Sequence, residues 1–496
     1  MKQLFLGIDA GTSAMKIVLT DEERKVHAQV TEEYCNQKPM SGFNEIDPEL
    51  WVESMERGLR KILSSFDRSL IKGIGITGQM HTLIVLDEKG DPIRPAIMWN
   101  DTRARELIPC LRKRIASFQE GEYLSKTIST GSPAANLYWL KENEPENFRK
   151  IRKFLIGPDY LCYRLTGAAG TDYCEASTSC LYEIIGKRWS VQMREFLGLE
   201  EQVYPRIRGS AVSAGNLMDS MAARLGLSGE IPVYTGTGDN PATALSTGCL
   251  MKGYPVVSLG TSGVLMMPVQ TPDPNARGKV ILFSFDGNQF QYLVQGTVQS
   301  NGSTVDWWLK DILENGNYQE LDRLSRLDKR AAGQVLFYPH LMGEKTLYGD
   351  PDIRGAFVGL GIDTDRDTLL YAVIEGLCFS LRELAEKMKL PIAAYGKLKA
   401  VGGGSRSPVW MQILANVMNI RVERMDGNIG PAYGIALLAA CGAKGMEKMK
   451  EDFCFAPLEG NYYEPDPAGA AACEEKYRKF LRLRRGLKYI ETGGET

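Results

Sequence analysis

Histidine is scarce, with three in 496 residues, and His81 stands beside no cysteine, which argues against a metal centre there. Ten cysteines are scattered without one Cys-x-x-Cys, so a disulfide framework is excluded and reduced thiols are expected. No window approaches about eighteen uninterrupted apolar residues, so no membrane-spanning helix is expected. The opening Met1–Asp9 stretch has too short an apolar run for a signal peptide, and a cytoplasmic protein is the expectation. Neither sign of charge is in excess: 59 Lys+Arg meet 61 Asp+Glu, which argues against nucleic acid or an anionic membrane as the main partner. Hydrophobic content of 44% with 24% charge excludes disorder, collagen and coiled-coil rods. The length exceeds what one hydrophobic core sustains, so more than one domain is expected.

What is present in surplus is glycine. The chain has 51, about sixteen more than average usage gives. Leu4–Ile8 reads as an apolar strand entering the turn Asp9–Ser13, with strands following at Met15–Thr20 and Lys25–Glu32. Asp47-Pro48 opens a helix in which Trp51, Met55, Leu59 and Ile62-Leu63 recur at helical spacing. Ile71–Thr77 returns as a strand, and Gln79–Leu86 reads as its continuation into another. The stretch from about 102 to 225 is mainly helical, including Arg103–Ile115. Strand character resumes at Ile231–Tyr234 and Val256–Ser262, with helices at Val305–Leu313, Thr368–Lys389, Pro408–Met418 and Ala432–Cys441. The chain closes with a charged helix and a Gly-rich tail. Strand-then-Gly-Thr-Ser occurs at Gly11–Ser13 and again at Gly260–Ser262, a weak echo that suggests two lobes, 1–245 and 246–496.

Two motifs mislead. Gly73, Gly75 and Gly78 have dinucleotide-fingerprint spacing but lie inside the apolar run, with no helix opening on them. Gly343–Thr346 ends like a phosphate loop but lacks its first glycine, since position 338 is Tyr. Asp9–Lys16 carries more. A tight turn aims N–H groups, two hydroxyls and the Lys16 charge at one spot, and Asp9 suits a cation. Taken alone, it is better read as an ordinary Gly-containing hairpin turn. Gly236–Asn240 follows a strand and leads into small residues; there Asp239 is either a general base for a hydroxyl or a helix N-cap. Ser258–Gly263 offers a second phosphate turn, and Val401–Ser407 puts three glycines between a strand and a helix, where a flat ligand can lie against the backbone. The tryptophans Trp51, Trp139, Trp307, Trp308 and Trp410 read as core.

In this order, from Leu4 to about Ala443, these residues resemble the FGGY carbohydrate kinases of the actin/hexokinase/heat-shock ATPase superfamily. Gly78–His81, Pro95–Asp101 and Gly238–Ala242 look most like the xylulokinase branch, and Asp159–Leu161 with Arg164–Gly167 is a further family segment. Three positions depart: Asn136 replaces a usual Lys, Thr368 an acidic, amide or His residue, and Thr82 a common Gly. The Thr82 departure bears on which sugar is taken. The resemblance implies an α/β fold of two ribonuclease H-like lobes around a nucleotide–sugar cleft. It implies ATP and Mg²⁺ as cofactors, with Asp239 as the base and Met80, His81 and Asn240 lining the sugar. Asp9 would act on the metal, Thr12, Ser13, Lys16, Gly260 and Thr261 on phosphates, and Gly403, Gly404 and Ser407 on the adenosine side. The expected reaction phosphorylates a ketose, xylulose first, with ribulose, gluconate or a C4 polyol as alternatives. A homodimer is compatible with the family. The competitor from another class is a non-catalytic nucleotide or sugar sensor, against which the intact Asp9, Lys16 and Asp239 speak.

Overall fold

A computed structural model describes residues 2–273, 276–326, 335–344, 346–350, 352–425, 430–445 and 462–491. They fall into two compact units. Unit 1 comprises Met1–Met251, Val280–Leu293 and Asn428–Cys454; unit 2 comprises Lys252–Lys279, Val294–Gly427 and Phe455–Thr496. Lys345 of the phosphate-loop lookalike and the Gly-rich tail at 492–496 lie outside the described residues.

Unit 1 is built on a six-stranded mixed sheet. Its strands are β1 (Leu4–Ala10), β2 (Ala14–Asp21), β3 (Val26–Glu33), β4 (Ile71–Gly78), β5 (Ser213–Asn216) and β6 (Pro232–Gly238), in the order β5-β6-β4-β1-β2-β3. β1, β2 and β3 form an antiparallel meander, while β4 runs parallel to β1 and β6 parallel to β4. One face is covered by helix α1 (Pro48–Leu63), whose start Asp47 fixes by accepting the N–H of Glu49 at 3.0 Å. Trp51, Met55 and Leu59 are fully buried along its inner stripe, as their spacing predicts. Each such side chain stabilises the packing by about 1.5–3 kcal/mol. Helices α2 (Tyr173–Thr178) and α3 (Asp239–Ser246) follow later in the unit. A second, four-stranded sheet of Glu45–Ile46, Ala96–Ile97, Leu83–Leu86 and Lys153–Ile156 has its own core, including Leu83, Val85 and Phe154.

The expected strand Gln79–Leu86 is a correction. Only Leu83–Leu86 is a strand, and it belongs to the second sheet. The chain leaves the first sheet after Gly78 and turns through His81, whose φ of 71° is in the left-handed region. An apolar run does not show such a break, because the residues stay buried while changing sheets. Arg103–Ile115 is likewise a short 3₁₀ turn, Arg105–Leu107, before the helix Ile108–Ala116. Val305–Leu313 splits into the helix Gly302–Trp307 and a π-helical stretch, Trp308–Ile312.

In unit 2, β7 (Val256–Leu259) pairs antiparallel with β8 (Gly263–Val269) and parallel with β9 (Lys397–Val401). β10 (Arg421–Arg424) continues the sheet in parallel. Helix α4 (Arg366–Lys387) starts where Asp365 accepts the N–H of Thr368 at 2.8 Å, and α5 (Pro408–Met418) starts at the Ser407 cap. Glu344 accepts N–H groups from Gln299 and Thr346, so a carboxylate occupies the spot where a phosphate loop would need room for an anion.

Helix α6 (Pro431–Lys444) returns to unit 1 and covers the other face of its sheet. Its close approach depends on glycine. A Cβ on Gly7 would lie 2.0 Å from the carbonyl oxygen of Ala432, and one on Gly75 would lie 2.4 Å from that of Ile435. Part of the glycine surplus therefore serves helix–sheet packing rather than ligand approach.

Candidate functional site

In unit 1 three parallel strands end side by side. Asp9 of β1 pairs with Thr77 of β4, and Thr77 with Thr237 of β6. Asp9 also faces Lys16 across the β1–β2 hairpin. The Gly11–Ser13 turn closes with the N–H of Gly11 donating to the carbonyl of Ala14 at 3.0 Å. One residue beyond the end of β6, Asp239 opens α3. The cap position itself is taken by Gly238, so Asp239 is not the N-cap but the first helical residue.

Asp9 and Asp239 are half-buried, and both carboxyls titrate high. Burial raises Asp239 to about 6, against the backbone N–H groups of Asn240 and Asp239, which favour the charged form. Burial also raises Asp9 to about 7; the charge of Asp239 adds to the shift and Lys16 opposes it. Asp9 Oδ1 is buried with no hydrogen-bond partner among the described residues. A carboxylate oxygen in that condition suits a divalent cation, which needs only one or two carboxylates when phosphates supply its other ligands. Among the described residues there is no group of three or more His, Cys, Asp or Glu that could hold a metal ion.

The sugar-side candidates converge on the same strand ends. Met80 is buried, and its sulfur accepts the side-chain N–H of Asn240 at 3.7 Å. The backbone N–H of His81 donates to Glu175 Oε2 at 3.3 Å. Behind these segments lie the buried carboxyls Asp159, Asp172 and Glu175, all pushed upward chiefly by burial, Asp172 to about 6.

In unit 2 the register of β7 with β9 sets Ser258 beside Val401, so the Gly260–Ser262 turn and the 402–407 loop emerge at the same end of adjacent parallel strands. The turn is braced: the N–H groups of Gly302 and Ser303 donate to the carbonyls of Gly260 and Thr261 at 2.9 and 3.1 Å. The three glycines of the loop differ in their reasons. Gly402 has φ of 94° and lies against Leu259, while a Cβ on Gly404 would come 2.9 Å from Trp410. Gly403 has nothing within 4 Å and is open to a ligand. Ser407 spends its hydroxyl on the N–H of Trp410 at 3.3 Å.

The candidates thus form two groups. Asp9, Thr12, Ser13, Lys16, Met80, His81, Asp239 and Asn240 belong to unit 1; Gly260, Thr261, Gly403, Gly404 and Ser407 belong to unit 2. Three neighbours are not among the candidates, although Trp99 lies in the segment Pro95–Asp101 singled out by resemblance. Tyr34 donates its hydroxyl to the carbonyl of Gly11, Trp99 donates its indole N–H to Thr12 at 3.1 Å, and Glu175 holds His81. Thr82 is fully buried, and its hydroxyl accepts the N–H of Trp99 at 3.3 Å.

Comparison with known proteins finds relatives that cover most of the chain. Xylulose kinase of Staphylococcus xylosus is 31% identical over 446 residues, covering 90% of this chain and 92% of the relative. Xylulose kinase of Bacillus subtilis is 32% identical over 452 residues, covering 90% of this chain and 89% of the relative. The crystal structure of a kinase from Brucella ovis, described as a xyloylose kinase, superposes with a TM-score of 0.90 at 31% identity, covering 98% of this chain and 100% of that one. These likenesses bear out the two-domain fold of mixed α/β sheets that matches actin/hexokinase-like ATPase lobes. The N-terminal domain of the FGGY family of carbohydrate kinases matches residues 4–246 and its C-terminal domain matches 256–443, so the chain belongs to that family and is a sugar kinase.

Proposed function

We propose that the protein transfers the γ-phosphate of ATP to a hydroxyl of D-xylulose, giving D-xylulose 5-phosphate and ADP. The observation that carries this reading is Asp239. It stands at the head of a helix with its carboxyl held at about 6, poised to be ionised near neutral pH and still to accept a proton. Asp239 takes the proton of the sugar hydroxyl as that oxygen bonds to the γ-phosphorus and the bond to ADP breaks. Met80, His81 and Asn240 orient the sugar. Thr12, Ser13 and Lys16, with Gly260 and Thr261, hold phosphate oxygens, and Gly403, Gly404 and Ser407 line the adenosine side. Positioning and charge neutralisation carry most of such a reaction. Mg²⁺, held by Asp9 and the phosphates, would neutralise the charge on the transferring group.

In this assignment residues 1–245 carry the sugar site, the first phosphate turn and the base, and 246–496 carry the second phosphate turn and the adenosine site. The nine described cysteines are free and, among the described residues, no helix is long and apolar enough to cross a membrane. We place the enzyme in the cytoplasm, with ATP and a sugar as its partners rather than nucleic acid or lipid, and as a homodimer, which sedimentation would check. The deciding experiment is ADP release over a panel of xylulose, ribulose, gluconate and C4 polyols. Turnover highest with xylulose supports the reading. A preference for another member reassigns the sugar, and no sugar-dependent turnover overturns the kinase reading in favour of a sensor.

A further inference from the structure

Asp172-Tyr173-Cys174-Glu175 has the form of a helix capping box, in which the fourth residue folds its carboxylate back onto the N–H of the first. Half of that box is present: Asp172 Oδ1 accepts the N–H of Glu175 at 2.9 Å. The other half is diverted. Glu175 is 1% exposed, and its Oε2 accepts instead the backbone N–H of His81, 94 residues earlier in the chain. His81 needs such a hold, because it is a side-chain-bearing residue with φ of 71°, a conformation that persists only where its surroundings impose it.

The second oxygen points to the other half of the site. Glu175 Oε1 has no hydrogen-bond partner among the described residues. A Cβ on Gly238 would lie 2.9 Å from it and 2.5 Å from Met80 Cγ, so Glu175, Met80 and the Gly238 backbone are in close packing. Gly238 precedes Asp239 directly. One side chain therefore grips the peptide that carries His81 and bears on the peptide that leads into Asp239. An acceptor left unpartnered in a buried place costs stability, and such costs are retained at functional sites.

We propose that Glu175 is a positioning residue that sets the spacing between the sugar-binding segment Met80-His81 and Asp239. The proposal deepens the kinase reading given above and rests on it. Glu175 touches neither substrate in this scheme; it acts through the His81 amide and the Gly238 backbone.

The test pairs local hydrogen exchange with kinetics in the full-length enzyme. Glu175→Ala should speed amide exchange in the peptide spanning 79–83 about tenfold or more, and leave peptides of β2 and β3 unchanged. The same variant should lose about 10–100-fold in kcat/KM for the sugar while KM for ATP stays within about twofold. Glu175→Gln keeps a carbonyl acceptor of the same reach and should restore both readouts to within about threefold of the parent. Wild-type exchange at 79–83 in Glu175→Ala overturns the proposal, as does an equal loss on the ATP and sugar sides. If Glu175→Ala does not fold, Glu175→Asp, shorter by one methylene, carries the same two readouts. The exchange measurement needs no sugar. Faster exchange at 79–83, with no sugar-dependent turnover in the parent enzyme, upholds the hold on His81 and overturns the kinase reading instead.

Discussion

Tyr34, just past the end of β3, donates its hydroxyl to the carbonyl oxygen of Gly11 at 2.5 Å, while its own N–H donates to Ser13 at 3.0 Å. The Gly11–Ser13 turn, proposed above to hold phosphate, is thus pinned from behind at both ends. Burial and the charge of Asp9 push the phenol well above its ordinary range, so it stays protonated and remains a donor. Tyr34→Phe removes the donor without removing the ring. The turn should loosen, raising KM for ATP about threefold to tenfold, since a buried acceptor left unmade costs about 1–3 kcal/mol. An unchanged KM for ATP, measured by coupled ADP release, would count against the turn as a phosphate holder.

Asp239 should set the acid limb of the pH profile. A base works only when ionised, so kcat/KM for the sugar should fall as pH drops through about 6, where burial holds this carboxyl. Asp239→Asn keeps shape and cannot take a proton. It should cost about 10²–10⁴ in turnover while ATP still binds, a separation that isothermal titration with ATP would read. A variant with near-normal sugar-dependent ADP release removes Asp239 from the role of base.

The same two carboxyls make the unliganded protein less stable as pH rises. Both titrate higher folded than unfolded, Asp9 at about 7 and Asp239 at about 6 against an ordinary value of 3.8. Between about pH 4 and 7 the unfolded chain has therefore released protons that the folded chain still holds, and stability falls across that window. Asp9→Asn removes one of the charges. It should raise the melting temperature at about pH 8, leave it unchanged near pH 4, and abolish any stabilisation by added Mg²⁺ with ATP. Scanning calorimetry at the two pH values would show it, and a variant less stable than the parent under the alkaline condition would refute it.

Two glycines give opposite expectations for one substitution. Gly7→Ala places a methyl group 2.0 Å from the Ala432 carbonyl and should destabilise by about 1–3 kcal/mol, because neither β1 nor α6 can move freely. Gly403→Ala meets nothing within 4 Å and should leave stability within about 0.5 kcal/mol. Since Gly403 is proposed to line the adenosine side, the second variant should nonetheless weaken ATP binding. Denaturant titration with and without ATP separates the two effects.

Much of the fold is legible in the sequence, and so is the gathering of the candidate residues at strand ends. The α1 stripe Trp51, Met55, Leu59 and the Asp47 cap depend on spacing within one helix, which sequence displays directly. The repeated Gly-Thr-Ser corresponds to a shared arrangement. Each lies between antiparallel strands, and the first strand of each pair has a later parallel neighbour, β4 beside β1 and β9 beside β7. What a linear reading does not display is contact across long separations. Glu175 and His81, or Tyr34 and Gly11, meet only because strands and helices bring them together. Gly73 and Gly75 look like a nucleotide loop in the chain and prove to lie inside β4, where Gly75 passes beneath α6.

The late arrival of α6 has a consequence for biosynthesis. The sheet of unit 1 is complete in its strands by Gly238, yet the helix that covers the face of Gly7 and Gly75 is not synthesised until residues 431–444. A nascent chain must therefore carry that face uncovered while about two hundred further residues leave the ribosome at about 5–20 residues per second. Until residues 431–444 have been made, the close packing of Gly7 and Gly75 against that helix cannot form.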